Sequence, residues 1–239
     1  MHPILFKIGS LTIYSYSVFL SLAFLLGLYL VLLRARKDGI NKKKILILSI
    51  YLIIFSQIGD RVFSLIFEQY HLNIELFNVF DLLKAGTIYY GALITSIIVT
   101  AVYCYREKLS FWNIVDIYAP SIALGQAIGK IGCFLNGCCY GEIFFIPTQL
   151  FELFTSLIII LILLNASKNQ MLLYLIFYGV ARFIIEFFRQ DYRGDVIFNI
   201  FTISQFISIL AIILASVILK IKSKEYFKKE AYEIIPIVK

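Results

Sequence analysis

Residues 114–135 read IVDIYAPSIALGQAIGKIGCFL. The segment has the length of a bilayer crossing but carries Asp116, Pro120, Gln126 and Lys130, so whether it spans decides the helix count and the side on which each later loop lies. A hydrocarbon core about 30 Å thick takes roughly 20 apolar residues as helix. Around this segment lie six plainer runs: Leu11 to Leu33, Ile45 to Phe67, Gly86 to Cys104, Thr148 to Leu164, Met171 to Phe188 and Phe201 to Leu219. Charge placement settles the reading. RARKDGINKKK at 34–44 follows the first run and KIKSKEYFKKE at 220–230 follows the last; Lys and Arg concentrate on the cytoplasmic side. YREK at 105–108 and SKNQ at 167–170 fall inside as well only if an even number of crossings separates them, which requires 114–135 to span. The sequence therefore predicts an all-α, polytopic integral membrane protein with seven transmembrane helices, its N-terminus outside and its C-terminus cytoplasmic.

Composition agrees. The 239 residues are 61% hydrophobic and 15% charged, with a mean hydropathy of +0.88, well outside the balance of soluble domains. The first run is too long for a signal-peptide core and no small-residue cleavage site follows it, so a retained anchor is expected. The net charge of +7 speaks of topology and membrane lipid, since nothing resembles a nucleic-acid module and no nucleic-acid partner is expected. We read one transmembrane domain over 1–239. Within it, 68–85 forms an outside interfacial loop, where Leu72, Leu76, Phe80 and Leu83 approximate helical spacing. Residues 220–239 form a basic cytoplasmic tail that either sets topology or lies on anionic lipid.

An ionisable side chain near mid-bilayer costs about 2.5 to 3.5 kcal/mol on insertion scales, and the spans contain Asp60, Arg61, Asp116, Lys130, Arg182 and Glu186. Arg182 and Glu186 stand four apart on one helical face, with Arg189 three further on. Asp60 and Asp116 read as packing-specific pairs. Lys130 and Arg182 read differently, because the acidic residues near them in sequence are too few to neutralise every cation. In a membrane the available anion is a lipid phosphate, which Arg and Lys hold by fork or by point charge. Glycines at 125, 129, 132, 137 and 141 would let a headgroup approach the backbone. Cys133, Cys138 and Cys139 admit three readings: inert packing, a disulfide or redox-sensitive pair, or a transient lipid acceptor. Their spacing is not a paired metal set, and only His2 and His71 are present to complete one. Cys104 reads as inert at its helix end.

GKIGCFLNGCCYG at 129–141 resembles the most diagnostic segment of the prolipoprotein diacylglyceryl transferases, G-R-x-G-N-F-x-N-x-E-x-x-G. HPILFKIGSLTIYSY, GDRVFSLIF, YYGALI, PTQLFE and YGVARFIIEFFRQD follow in that family's order along nearly the whole chain. The resemblance implies an enzyme of the bacterial cytoplasmic (inner) membrane that uses no cofactor. Such an enzyme moves the diacylglyceryl group of phosphatidylglycerol onto the lipobox cysteine in the signal peptide of a prolipoprotein and releases glycerol phosphate. It further implies catalytic roles for Arg182, Lys130 and Tyr90, and a lipid-binding set of Lys130, Arg182, Asn136, Gly91, Gly141, Tyr16, Tyr178 and Arg61. Glu186, Arg189 and Asp116 would support them. Lys130, Arg182, Glu186 and Tyr90 are expected to converge on one cavity open to lipid.

The chain departs from the family's pattern at four positions. Lys130 replaces an arginine, keeping charge and losing the two-pronged grip; Cys133 and Cys138 replace an amide and a carboxylate. Tyr90 stands where many members carry a histidine proposed to help deprotonate the acceptor thiol. With an ordinary pKa near 10, tyrosine is a poor base at neutral pH, which leaves a water, a carboxylate or the substrate phosphate to take that proton. Two other readings share these features: a homologue serving another thiol acceptor or none, and a polytopic lipid carrier or transporter with charges beside glycine-broken helices.

Overall fold

A computed structural model of the chain describes residues 2–9, 11–68, 89–143, 145–190, 196–197 and 201–234. Among them are seven helices: α1 Ser15–Lys37, α2 Lys42–Glu68, α3 Tyr89–Arg106, α4 Phe111–Asn136, α5 Thr148–Asn165, α6 Gln170–Glu186 and α7 Ile203–Ile234. The fold is all-helical apart from three short antiparallel hairpins, β1 Ile4–Ile8 with β2 Leu11–Tyr14, β3 Glu142–Ile143 with β4 Ile146–Pro147, and β5 Val196–Ile197 with β6 Phe201–Thr202. By length and composition α1, α2, α5 and α7 can each cross a membrane, and α3 is a shorter apolar helix. The expected interfacial helix lies, from residue 69 onward, outside the described residues. The basic tail continues α7 as helix to Ile234.

The first run begins differently from its reading. Leu11 to Tyr14, expected as the start of a helix, pair instead with Ile8 to Ile4. Thr12, Ile13 and Tyr14 are β-branched or aromatic and favour a pleated surface, and the helix starts only at Ser15, whose N–H donates to the Pro3 carbonyl at 2.9 Å. Arg34, Arg36 and Lys37 crowd the last turn of α1, where cations complement the helix dipole. The Asn41 side chain then caps α2 by accepting from the Lys43 N–H at 2.9 Å.

The chain divides into two compact units, residues 1–30 with 115–239, and residues 31–114. In the second, α2 and α3 approach closely where Gly59 meets Gly91: a Cβ on Gly91 would fall 2.5 Å from the Gly59 carbonyl oxygen. Small residues permit such contact between helices in lipid. Lys44 pairs with Glu107 at 2.8 Å, and the Tyr103 hydroxyl donates to the Lys44 carbonyl at 2.9 Å.

In the first unit the alanine stripe Ala119, Ala123 and Ala127 on α4 packs on Ile159, Ile160 and Leu163 of α5 and Tyr174 of α6. Asp116, also on α4, accepts the Met171 N–H at 2.8 Å and so caps α6, whose own cap residue Asn169 makes no side-chain cap bond. Gly132 of α4 lies against α1, its absent Cβ 3.1 Å from the Cβ of Phe19. Large apolar side chains such as Phe24, Leu25, Leu161 and Ile213 are half or more exposed, as suits a protein whose solvent is lipid.

Candidate functional site

α5 is a run of leucine and isoleucine interrupted on one face by Gln149, Glu152 and Ser156, all buried. Glu152 is the centre of an ion network. Its carboxylate accepts from Arg182 Nη1 at 3.0 Å and from Arg189 Nη1 at 3.0 Å, and pairs with Lys130 Nζ. Arg182 Nη2 reaches Glu186 at 2.7 Å, one helical turn on, and Arg189 Nε lies 4.0 Å from the same carboxylate. Three helices thus meet through charge: α4 by Lys130, α5 by Glu152, and α6 with its following turn by Arg182, Glu186 and Arg189.

The start of α7 holds this network from the other side. Thr202 and Gln205 form a reciprocal capping box: the Gln205 N–H donates to Thr202 Oγ1 at 3.2 Å and the Thr202 N–H to Gln205 Oε1 at 3.0 Å. The same Thr202 hydroxyl donates to Glu186 at 3.2 Å, and Ser204 Oγ accepts from Arg182 Nη2 at 3.3 Å. Among the described residues the network holds three cations, Lys130, Arg182 and Arg189, against two carboxylates, Glu152 and Glu186. One more cation than carboxylates favours a further anion beside the network, whether a neighbouring thiolate or a ligand. On α6, Val180, Phe183 and Ile184 line an open apolar groove of about 390 Å³ with Ile209, Ile212 and Ile213 of α7.

Beside the network, the end of α4 gathers three thiols. The Cys138 N–H reaches the Cys133 carbonyl at 3.2 Å and the Gly137 N–H that of Phe134 at 3.3 Å, with Gly137 at φ +76°. This is a Schellman closure, which turns the residue past the cap back onto the last helical turn. Cys138 is thereby set against Cys133, Cys139 follows at φ +62°, and the three Sγ atoms lie within 4.8 Å of one another. The Cys139 thiol, in the segment between α4 and α5, is held below the usual thiol range. A hydrogen bond with Cys133 and the charges of Lys130 and Arg189 lower it against the opposing effect of burial.

Helix α5 and the end of α6 fix this turn. The Gln149 amide donates to the Cys138 carbonyl at 2.9 Å and the Thr148 hydroxyl to the Cys139 carbonyl at 3.1 Å. The Gln190 N–H donates to Tyr140 at 3.1 Å, and Gly141 bridges to Arg189.

Of the residues expected at the site, Lys130, Arg182, Glu186 and Arg189 come together in one network. Asn136 is exposed at the end of α4, Tyr16 is exposed on α1, and Tyr178 stacks on Tyr174 at 5.5 Å against the α4–α5–α6 core. Asp116 acts through the N-terminus of α6. Tyr90, Gly91 and Arg61 belong to residues 31–114 and are described within that unit. The glycines divide by use. Among the described residues nothing stands within 4 Å of the Cβ positions of Gly125 and Gly129, whereas a Cβ on Gly141 would lie 2.3 Å from the Phe188 carbonyl oxygen.

Glu152 is the residue that sequence reasoning missed. The expectation that too few acids stand near Lys130 and Arg182 gives way to one carboxylate that serves all three cations. Its signal lay in PTQLFE, where Gln149 and Glu152 stand three apart at the head of an otherwise apolar helix, the criterion that had singled out Asp116.

The family profile described as prolipoprotein diacylglyceryl transferase matches residues 3–221. The chain is 32% identical to a phosphatidylglycerol–prolipoprotein diacylglyceryl transferase of Clostridium tetani over 96% of its own length and 100% of the relative's. It is 31% identical to the protein of the same name from Finegoldia magna, over 96% of the chain and 98% of the relative. A third relative so named, from Streptococcus equi subsp. zooepidemicus, is 31% identical over 91% and 93%.

Proposed function

Because the chain belongs to the prolipoprotein diacylglyceryl transferase family, we propose that it transfers the diacylglyceryl group of phosphatidylglycerol to the lipobox cysteine of a prolipoprotein in the bacterial cytoplasmic membrane. A thioether forms and glycerol phosphate leaves. The observation that carries this reading is the buried network with one more cation than carboxylates, on a helix whose flank is an apolar groove. A phosphodiester with acyl chains needs both.

In this reading the acceptor thiolate attacks a glyceryl carbon, the carbon–oxygen bond to phosphate breaks, and the electron pair goes to the departing phosphate. Lys130 and Arg182 hold that phosphate and stabilise the charge it gains. Glu152 and Glu186 keep both cations aimed before substrate arrives, so that little reorganisation accompanies the reaction. The chain crosses the membrane seven times, with its N-terminus outside and its C-terminus cytoplasmic.

The test is purified protein in detergent with phosphatidylglycerol and a lipobox peptide. The expected product is a peptide heavier by one diacylglyceryl group, with an equimolar yield of glycerol phosphate. Lipid binding without any modified peptide would overturn the assignment, as would equal modification of a peptide with serine in place of the lipobox cysteine.

A further inference from the structure

We propose that Cys133, Cys138 and Cys139 form a three-thiolate zinc site whose fourth position takes the acceptor thiol. The first half stands on geometry alone; the second rests on the transferase reading above. The three Sγ atoms lie within 4.8 Å of one another. Zn–S bonds of about 2.3 Å in a tetrahedron put sulfurs about 3.8 Å apart, so closure needs side-chain rotation of the order of an ångström. The backbone that carries the thiols is already set by the Schellman closure at Gly137 and by the bonds from Thr148 and Gln149 to the two cysteine carbonyls.

Thiolate ligands select soft cations. Three of them leave a single negative charge around a divalent ion and two around a monovalent one. A buried site favours the ion that leaves the smaller residue of charge, so zinc is the ion committed to. Three protein ligands and an open position make a reactive zinc site, whereas a structural one has four.

The open position answers what the chemistry lacks. The proposed reaction needs a thiolate at neutral pH, below the ordinary cysteine pKa of about 8.5. A thiol that binds zinc is deprotonated outright. The balanced step runs as follows: the acceptor thiol binds the zinc and gives up its proton to water; its sulfur forms the bond to the glyceryl carbon; the carbon–oxygen bond breaks toward phosphate. The neutral thioether product is a weak ligand and leaves.

The experiment uses the full-length protein purified in detergent under reducing conditions, with zinc content measured and cobalt(II) then exchanged into the site. One zinc per chain is expected, as is a strong sulfur-to-cobalt charge-transfer band. Both should be lost in Cys133→Ser, Cys138→Ser and Cys139→Ser and kept in Cys104→Ser. Should a variant not fold, alkylation mapping of the wild-type protein replaces it: zinc should protect these three thiols and leave Cys104 labelling unchanged. No retained zinc, equal zinc in the serine variants, or equal labelling with and without zinc would overturn the site. A lipobox peptide should shift the cobalt band while its serine counterpart does not; absence of that shift removes the acceptor role. A shifted band without transferase product would instead sink the transferase reading and leave the zinc site standing.

Discussion

Glu152 receives three cations through two oxygens, so its loss should be felt more widely than that of any one partner. Glu152→Gln preserves shape but leaves Glu186 as the one carboxylate among the described residues of the network. Breaking a buried pair by removing one partner costs about 3 to 5 kcal/mol, and thermal unfolding in detergent should show a loss on that scale together with loss of turnover. Unchanged stability would mean that the cations find water instead. On the proposed phosphate-holding role, Lys130 and Arg182 should respond alike to loss of charge. Arg182→Met removes a charged donor at a developing oxyanion, worth about 2.7 to 4 kcal/mol or roughly a hundred- to thousand-fold in rate, and Lys130→Met should follow it. Lys130→Arg restores a planar fork and should keep or raise kcat/KM. Should Lys130→Met leave kcat/KM intact while Lys130→Arg abolishes it, the lysine is a packed side chain that spans the gap to Glu152 and no more.

At the level of elements, much was legible in advance and the exceptions have physical causes. The long apolar runs, their order and the i,i+4 pair of Arg182 and Glu186 were readable because helical period and charge spacing are local properties. The Leu11 to Tyr14 strand was not, since four apolar-leaning residues satisfy either period and the neighbouring strand decides between them. The three cysteines were legible as a cluster but their meeting was not: their spacing in sequence fits no metal pattern, and the closure at Gly137 brings Cys138 back onto Cys133. Glu152 was hidden by an acid count that used sequence neighbours, although its partners come from α4 and α6. The capping box at Thr202 is an element-scale device with a site-scale effect, because the hydroxyl that caps α7 also holds Glu186. Thr202→Ala should lower stability by about 0.5 to 2 kcal/mol and reduce turnover as Glu186 keeps Arg182 but loses the hydroxyl donor. Thr202→Ser should restore both, measured as unfolding midpoint and kcat. Recovery of stability without recovery of turnover would separate the cap from the site.

For the whole molecule, orientation in the membrane is open to direct labelling. Thr12→Cys should react with a membrane-impermeant maleimide on intact spheroplasts, above the background of the parent protein, and Ser223→Cys only after permeabilisation; the reverse pattern would invert the topology. The division into two units reaches further, into biosynthesis. Residues 31–114 are contiguous and complete their unit by themselves, whereas the other unit is split, with 1–30 separated from 115–239. At about 5 to 20 residues per second, the 84 intervening residues impose a wait of roughly 4 to 17 s on the ribosome before α1 meets any of its partners beyond 115. A nascent chain arrested after residue 114 should therefore yield a protease-resistant α2–α3 pair with α1 still open to cleavage. During that interval the first helix is held by lipid and the insertion machinery, and its exposed apolar face suits it to wait there.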